Sequence, residues 1–155
     1  MDTKLINPKA QGVLRLIITT CIRIIQTISD EYSSYLAIMG AQTEKHYYDD
    51  LAITISWDEL ASRIIAVENF IQKYKDSEYL MEMSAFFDEY LHFYKVGSTH
   101  SRIFDYETNI IKDDVLESYE STIIKYPGSK LAKLTSEYMD KIKANDYKNP
   151  SYSQI

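Results

Sequence analysis

The chain of 155 residues has one cysteine, one tryptophan, three prolines and four glycines. A lone thiol, Cys21, excludes an internal disulfide framework and any cysteine-based zinc site, because each needs at least a pair. Its expected place is the core. So few Gly and Pro leave little material for the turns of a many-stranded sandwich or barrel, which favours a small number of long helices. No apolar run approaches the ~20 residues needed to cross a bilayer. The most apolar stretch, LIITTCIRII at residues 16–25, follows Arg15 and contains Arg23. That interruption argues against a cleaved secretory signal, and the apolar run before Cys21 is too short for lipoprotein processing. The expected location is cytoplasmic, with the bacterial envelope as the alternative should a processing signal lie upstream.

Hydrophobic residues make up 45% of the chain, enough to fill the core of one domain. The net charge of −6 is unevenly spread. Residues 1–29 hold four basic side chains and one acid, residues 125–155 hold six and three, and residues 30–124 hold seven and nineteen. The middle therefore carries −12. Nucleic acid is disfavoured as a partner there, since its phosphates would be repelled, and a basic or apolar protein surface is favoured.

Asn7-Pro8 has the form of a helix start, with Asn as cap and Pro at the first position. Leu14, Ile17, Cys21, Ile24 and Ile28 then recur at helical spacing, widened by Ile18 and Ile25, which predicts a largely buried helix. The pattern continues through Tyr32, Tyr35, Leu36 and Met39 as one helix or as two joined near Ser29-Asp30, with Gly40 the expected break. In ISWDEL, Ser56 and Glu59 form a capping box and Ile55 and Leu60 a hydrophobic staple. The following stripe is Leu60, Ile64, Val67, Ile71 and Tyr74. Ser77 is the expected cap of the next helix, which presents Leu80, Met83, Phe87, Tyr90 and Tyr94 and ends near Gly97. After a long loop at 97–112, Asp114 and Glu117 suggest a second capping pair ahead of Leu116, Tyr119, Ile123 and Tyr126. Tyr126-Pro127-Gly128 ends that helix, and Ser129 caps a last one.

Two segments echo each other at an offset of 52: IQKYKDSEYLM at residues 71–81 and IIKYPGSKLAK at residues 123–133. Each reads as the turn of an antiparallel helical hairpin. The phrase SYESTIIKYPGSKLAKLTSEYMDKI, residues 118–142, resembles a tetratricopeptide-like hairpin of the Tyr-Pro-x-Ser turn type found in bacterial envelope assembly and scaffold proteins. That resemblance implies an all-α, protein-binding scaffold without catalysis. The expected architecture is a single helical domain over residues 1–146. It comprises N-terminal helices at 8–50, a hairpin at 56–96, the loop at 97–112 and a hairpin at 113–146, packed as a bundle or short tetratricopeptide-like solenoid. Residues 147–155 form a flexible tail.

Rossmann, P-loop, kinase and zinc-finger patterns are all missing, and no cofactor is implied. Glu89 and His92 form one Glu-x-x-His pair, half of a di-iron carboxylate pattern, but no second pair exists. His46 with Asp49 and Asp50 supplies two ligand types without a third partner. Metal binding by Glu89, His92, His46 and Asp50 is therefore the alternative, and an ordinary polar helix face the simpler reading. The loop GSTHSR at 97–102 lacks a phosphate cradle or a nucleophile elbow and reads as a solvated turn.

Among fourteen tyrosines, Tyr74, Tyr90, Tyr119, Tyr126 and Tyr138 lie on core stripes. Tyr47, Tyr48 and Tyr106 do not. With Ile103, Phe104, Ile110 and Ile111, they make the candidate partner-binding surface, the competing expectation being that this loop folds back over the hairpins. The sequence thus points to a non-enzymatic protein-binding module. A narrower form is an immunity or inhibitor protein whose acidic middle covers a basic toxin.

Overall fold

The computed structural model describes residues 8–27 and 29–150; within the first segment, side chains are described at residues 9 and 12–20. The fold is all-α, with six helices and one two-stranded hairpin among the described residues. Helix α1 spans Pro8–Thr27 and α2 spans Asp30–Glu44. The break falls at Ser29, whose hydroxyl accepts from the Tyr32 amide at 3.1 Å and caps α2. Gly40 does not break the chain. It sits inside α2, where a helical backbone costs Gly about 1 kcal/mol relative to Ala but is not prevented.

Strands β1 (Tyr48–Asp49) and β2 (Ala52–Ile53) pair antiparallel, Tyr48 opposite Ile53. Asp50 and Leu51 turn between them with φ of 43° and 64°, as a two-residue hairpin requires. Neither residue is the Gly or Asn that announces such a turn. It is held from outside: the His100 amide donates to the Leu51 carbonyl, the His100 ring bonds the Asp50 carbonyl, and the Ile53 amide donates to Ser101 Oγ. The loop that carries His100 and Ser101 therefore acts as a brace.

Helix α3 (Trp57–Lys73) is the hub, packing against α2, α4 (Leu80–Val96), α5 (Asp113–Lys125) and α6 (Lys130–Ala144). Of the predicted stripe, Leu60, Ile64 and Val67 are buried and Ile71 and Tyr74 half-buried, while Phe70, outside the predicted stripe, is buried beside them. Ser56 Oγ accepts from the Glu59 amide, and Ile55 and Leu60 are both buried. Glu59 does not complete a capping box; its carboxylate binds Lys45 and Arg63.

The two echoed turns share one geometry. Tyr74 and Tyr126 cap the C-termini of α3 and α5, each donating its amide to the carbonyl four residues back. Their carbonyls accept from the amides of Ser77 and Ser129, three residues on. The turns differ afterwards. Ser129 caps α6 directly through the Ala132 amide, whereas Ser77 Oγ takes the Tyr79 amide and α4 begins only at Leu80. Asp114 is no cap either, because α5 starts one residue earlier, and its carboxylate instead accepts from Trp57 Nε1 at 3.1 Å.

Gly97 ends α4 with φ of 75°; a Cβ there would lie 2.5 Å from the Ser101 carbonyl, so the turn requires glycine. The Tyr94 and Tyr119 rings meet at the bottom of the core. Tyr94 shares hydrogen bonds with Ser118 and Thr122, and the Tyr119 hydroxyl donates to the Tyr94 carbonyl, one of the C-terminal carbonyls that α4 leaves open.

Candidate functional site

Helix α1 departs most from expectation. Its stripe predicts burial, yet every described side chain from residue 12 to residue 20 is exposed. Val13 is 59% exposed, Leu14 53%, Leu16 69%, Ile17 53% and Ile18 49%. Helix α3 is covered by four other helices, so its stripe is enclosed by α2, α4, α5 and α6. Arg15 lies on the same exposed surface. The expected contributions of Cys21, Ile24, Ile25 and Ile28 lie outside the described side chains.

The 97–112 loop divides into an inner and an outer row. Ile103 and Ile111 are buried, which removes them from the surface, and the half-buried Phe104 packs against the core and anchors the loop. Phe104 and Ile111 pair as an antiparallel bridge. Tyr106, 80% exposed, and Ile110, 43% exposed, remain outside. Between the rows, Asp105 Oδ1 accepts from the amides of Glu107 and Thr108 and from the Thr108 hydroxyl. Those bonds, led by the Thr108 amide, hold the Asp105 carboxyl below its ordinary value. The Arg102 guanidinium covers the Tyr106 ring at 4.9 Å.

The start of the expected tail is likewise docked. The Tyr147 carbonyl accepts from the Ile111 amide, Ile110 bridges Lys148, and Asn145 Nδ2 donates to the carbonyls of Lys148 and Asn149. Residues 147–150 thus form part of the loop's frame, and the rest of the tail lies outside the described residues.

Tyr47 and Tyr48 are half-buried. Tyr47 meets Tyr90 edge-on at 4.8 Å between ring centres, and Tyr48 lies on Phe93 at 4.7 Å. Burial and then the Glu89 carboxylate push the Tyr47 hydroxyl well above its ordinary value. Both rings fasten the β-hairpin to α4.

Glu89, His92, His46 and Asp50 are all exposed. Among the described residues no group of three or more His, Cys, Asp or Glu side chains is arranged to hold a metal ion. The acidic middle is a surface property: Glu68 is its buried carboxylate, Glu31 and Glu59 are half-buried, and the others are exposed. No described helix is long and apolar enough to cross a membrane. The surface thus carries exposed apolar residues on α1, the outer row Tyr106 and Ile110, and an acid-rich body. No protein-family model, curated protein or solved structure matches the chain.

Proposed function

We propose that this chain is a non-catalytic protein-binding module in which α1 is the principal contact element and the hairpin body a rigid, acidic support. The observation that carries the reading is the exposure of five large aliphatic side chains within six residues of one helix. A contiguous apolar surface of this kind costs about 25 cal/mol per Å² while it faces water, and it marks a surface that a partner covers. The partner's contact is an apolar groove, and basic residues beside it would complement the body. Tyr106 and Ile110 extend the same chemistry to the loop, on a frame that backbone bonds hold firm.

A second reading, an inhibitor of a basic toxin, is favoured by the placement of nearly all acids of residues 30–124 on the surface. Charge steering would then make association fast and salt-sensitive.

The test places a photo-crosslinking residue at Leu16, at Tyr106 and, as control, at Lys141 in the full chain expressed in its native cells. The reading expects a discrete adduct from Leu16 that the Lys141 control does not give. No adduct from Leu16, or the same adducts from all three positions, would overturn it. An adduct of twice the chain's own mass would make the partner a second copy.

A further inference from the structure

We propose that the groove between α2 and α3 is a binding site for a small amphipathic carboxylate, a medium-chain aliphatic or aromatic acid whose head group meets Arg63 and Tyr90. The groove has a volume of about 320 Å³, at the lower end for a small-molecule site. Its apolar lining comes from Ala37, Ile38 and Ala41 of α2 and from Ala66 and Phe70 of α3.

Two polar groups at its wall have each other and little else. Arg63 is 9% exposed and Tyr90 1% exposed, and apart from their approach to one another Arg63 Nη1 and the Tyr90 hydroxyl reach no hydrogen-bond partner among the described residues. Buried polar atoms are nearly always paired, and an unpaired one costs about 1–3 kcal/mol. The guanidinium faces the phenol closely enough to oppose part of the upward push that burial gives the Tyr90 hydroxyl. The phenol oxygen can take one guanidinium proton, but its own O–H has no acceptor and the guanidinium has protons to spare, so what is missing is a further oxygen with lone pairs.

Charge selects an anion over a neutral carbonyl. Arg63 is held through Nη2 to Glu59 at 2.7 Å, but Glu59 also binds Lys45 at 3.1 Å. One carboxylate shared by two cations leaves a positive charge unmatched. Lys73 adds a third cation on the lining, resting over the Tyr74 ring at 4.8 Å and facing Asp30. Among the described residues no acidic side chain lines the groove, although it lies within the −12 segment. Because Arg63 is anchored at one nitrogen, its outer torsions can turn Nη1 toward an entering carboxylate while the Glu59 pair persists. The tail then covers the alanine and phenylalanine surface.

The experiment is calorimetric titration of the full chain with decanoate and decyltrimethylammonium, each below its micelle concentration, and with decanol below its solubility limit. Decanoate is expected to bind saturably at one site, at least ~10-fold more tightly than either comparison ligand. Arg63→Met and Tyr90→Phe should each weaken decanoate by roughly 5- to 10-fold, and Ala66→Phe, which fills the groove from an exposed position, should abolish binding. Equal affinity for decanoate and decanol would overturn the anion assignment. Absence of saturable binding, or binding indifferent to Ala66→Phe, would overturn the site. Should Arg63→Met fail to fold, Tyr90→Phe and Ala66→Phe decide the outcome, since the first removes one oxygen and the second alters an exposed residue.

Discussion

The Glu68 carboxylate on α3 accepts the Lys130 amide at the first turn of α6, 2.6 Å away and 62 residues later in the chain. Its other oxygen accepts the Leu131 amide at 3.1 Å, and Gln72 Nε2 supports it from one turn further along α3. Helix α6 is thus capped twice, by Ser129 locally and by Glu68 across the fold. A carboxylate at a helix N-terminus also meets the positive end of the helix dipole.

Glu68→Ala should therefore destabilise the chain by about 3 kcal/mol, since it strips a charged acceptor from amides that include the fully buried Leu131. Glu68→Gln keeps one acceptor oxygen and should cost about half as much. Urea unfolding followed by circular dichroism measures both, and a loss below ~0.5 kcal/mol for the alanine variant would refute the cross-fold cap.

The tyrosine cluster predicts alkaline sensitivity with a definite sign. Burial pushes the Tyr94 hydroxyl up to about 12, its bonds to Ser118 and Thr122 opposing only part of the effect. The unfolded chain releases this proton near pH 10, so it binds fewer protons than the native state above that point. The stability carried by Tyr94 is thus complete below pH ~10 and falls as the pH rises through about 12. Tyr119, Tyr138 and Tyr90 are raised by burial as well and act in the same direction. Phenolate absorbance and helix content should change together in one cooperative transition; titration of these tyrosines near pH 10 without unfolding would contradict the buried cluster.

Two glycines should respond in opposite ways to alanine. Gly97→Ala forces a Cβ against the Ser101 carbonyl at positive φ and should cost at least ~2 kcal/mol, loosening the loop that braces the β-hairpin. Gly40→Ala, inside α2 with open space around it, should stabilise by about 0.5–1 kcal/mol. Thermal midpoints of the two variants moving in the same direction would contradict the structure at one of these positions.

Helix α1 predicts a separation of stability from binding. Leu14→Glu combined with Ile17→Glu replaces side chains that are each 53% exposed, so the hairpin body should unfold within about 0.5 kcal/mol of the parent chain. The crosslinked adduct from Leu16 should disappear. A large loss of stability with the double variant would place α1 in the core after all.

Local chemistry accounts for what sequence alone determined. Ser56 and Ser129 are caps because a short side-chain oxygen ahead of a helical stripe satisfies an amide that the helix leaves open. Gly97 ends α4 for an equally local reason, and the Lys-Tyr echo produces matching turns because both use the same backbone bonds. The first three residues of the α3 stripe, Leu60, Ile64 and Val67, are buried as their spacing requires. Each of these depends on neighbours within about a turn or two.

Tertiary structure decided the rest, because a stripe records that a surface is apolar and not whether anything covers it. The stripe of α3 is enclosed by four helices, whereas the described part of a comparable stripe on α1 faces outward. The 97–112 loop was legible as apolar, but the assignment of Ile103 and Ile111 to the core and of Tyr106 and Ile110 to the surface depends on pairing with residues 147–148. The Glu68 cap, the brace from His100 and the approach of Arg63 to the Tyr90 hydroxyl join residues distant in the chain, and no local pattern marks them. Their energies arise from desolvation and hydrogen bonding across packed elements, terms that exist only once the helices have met.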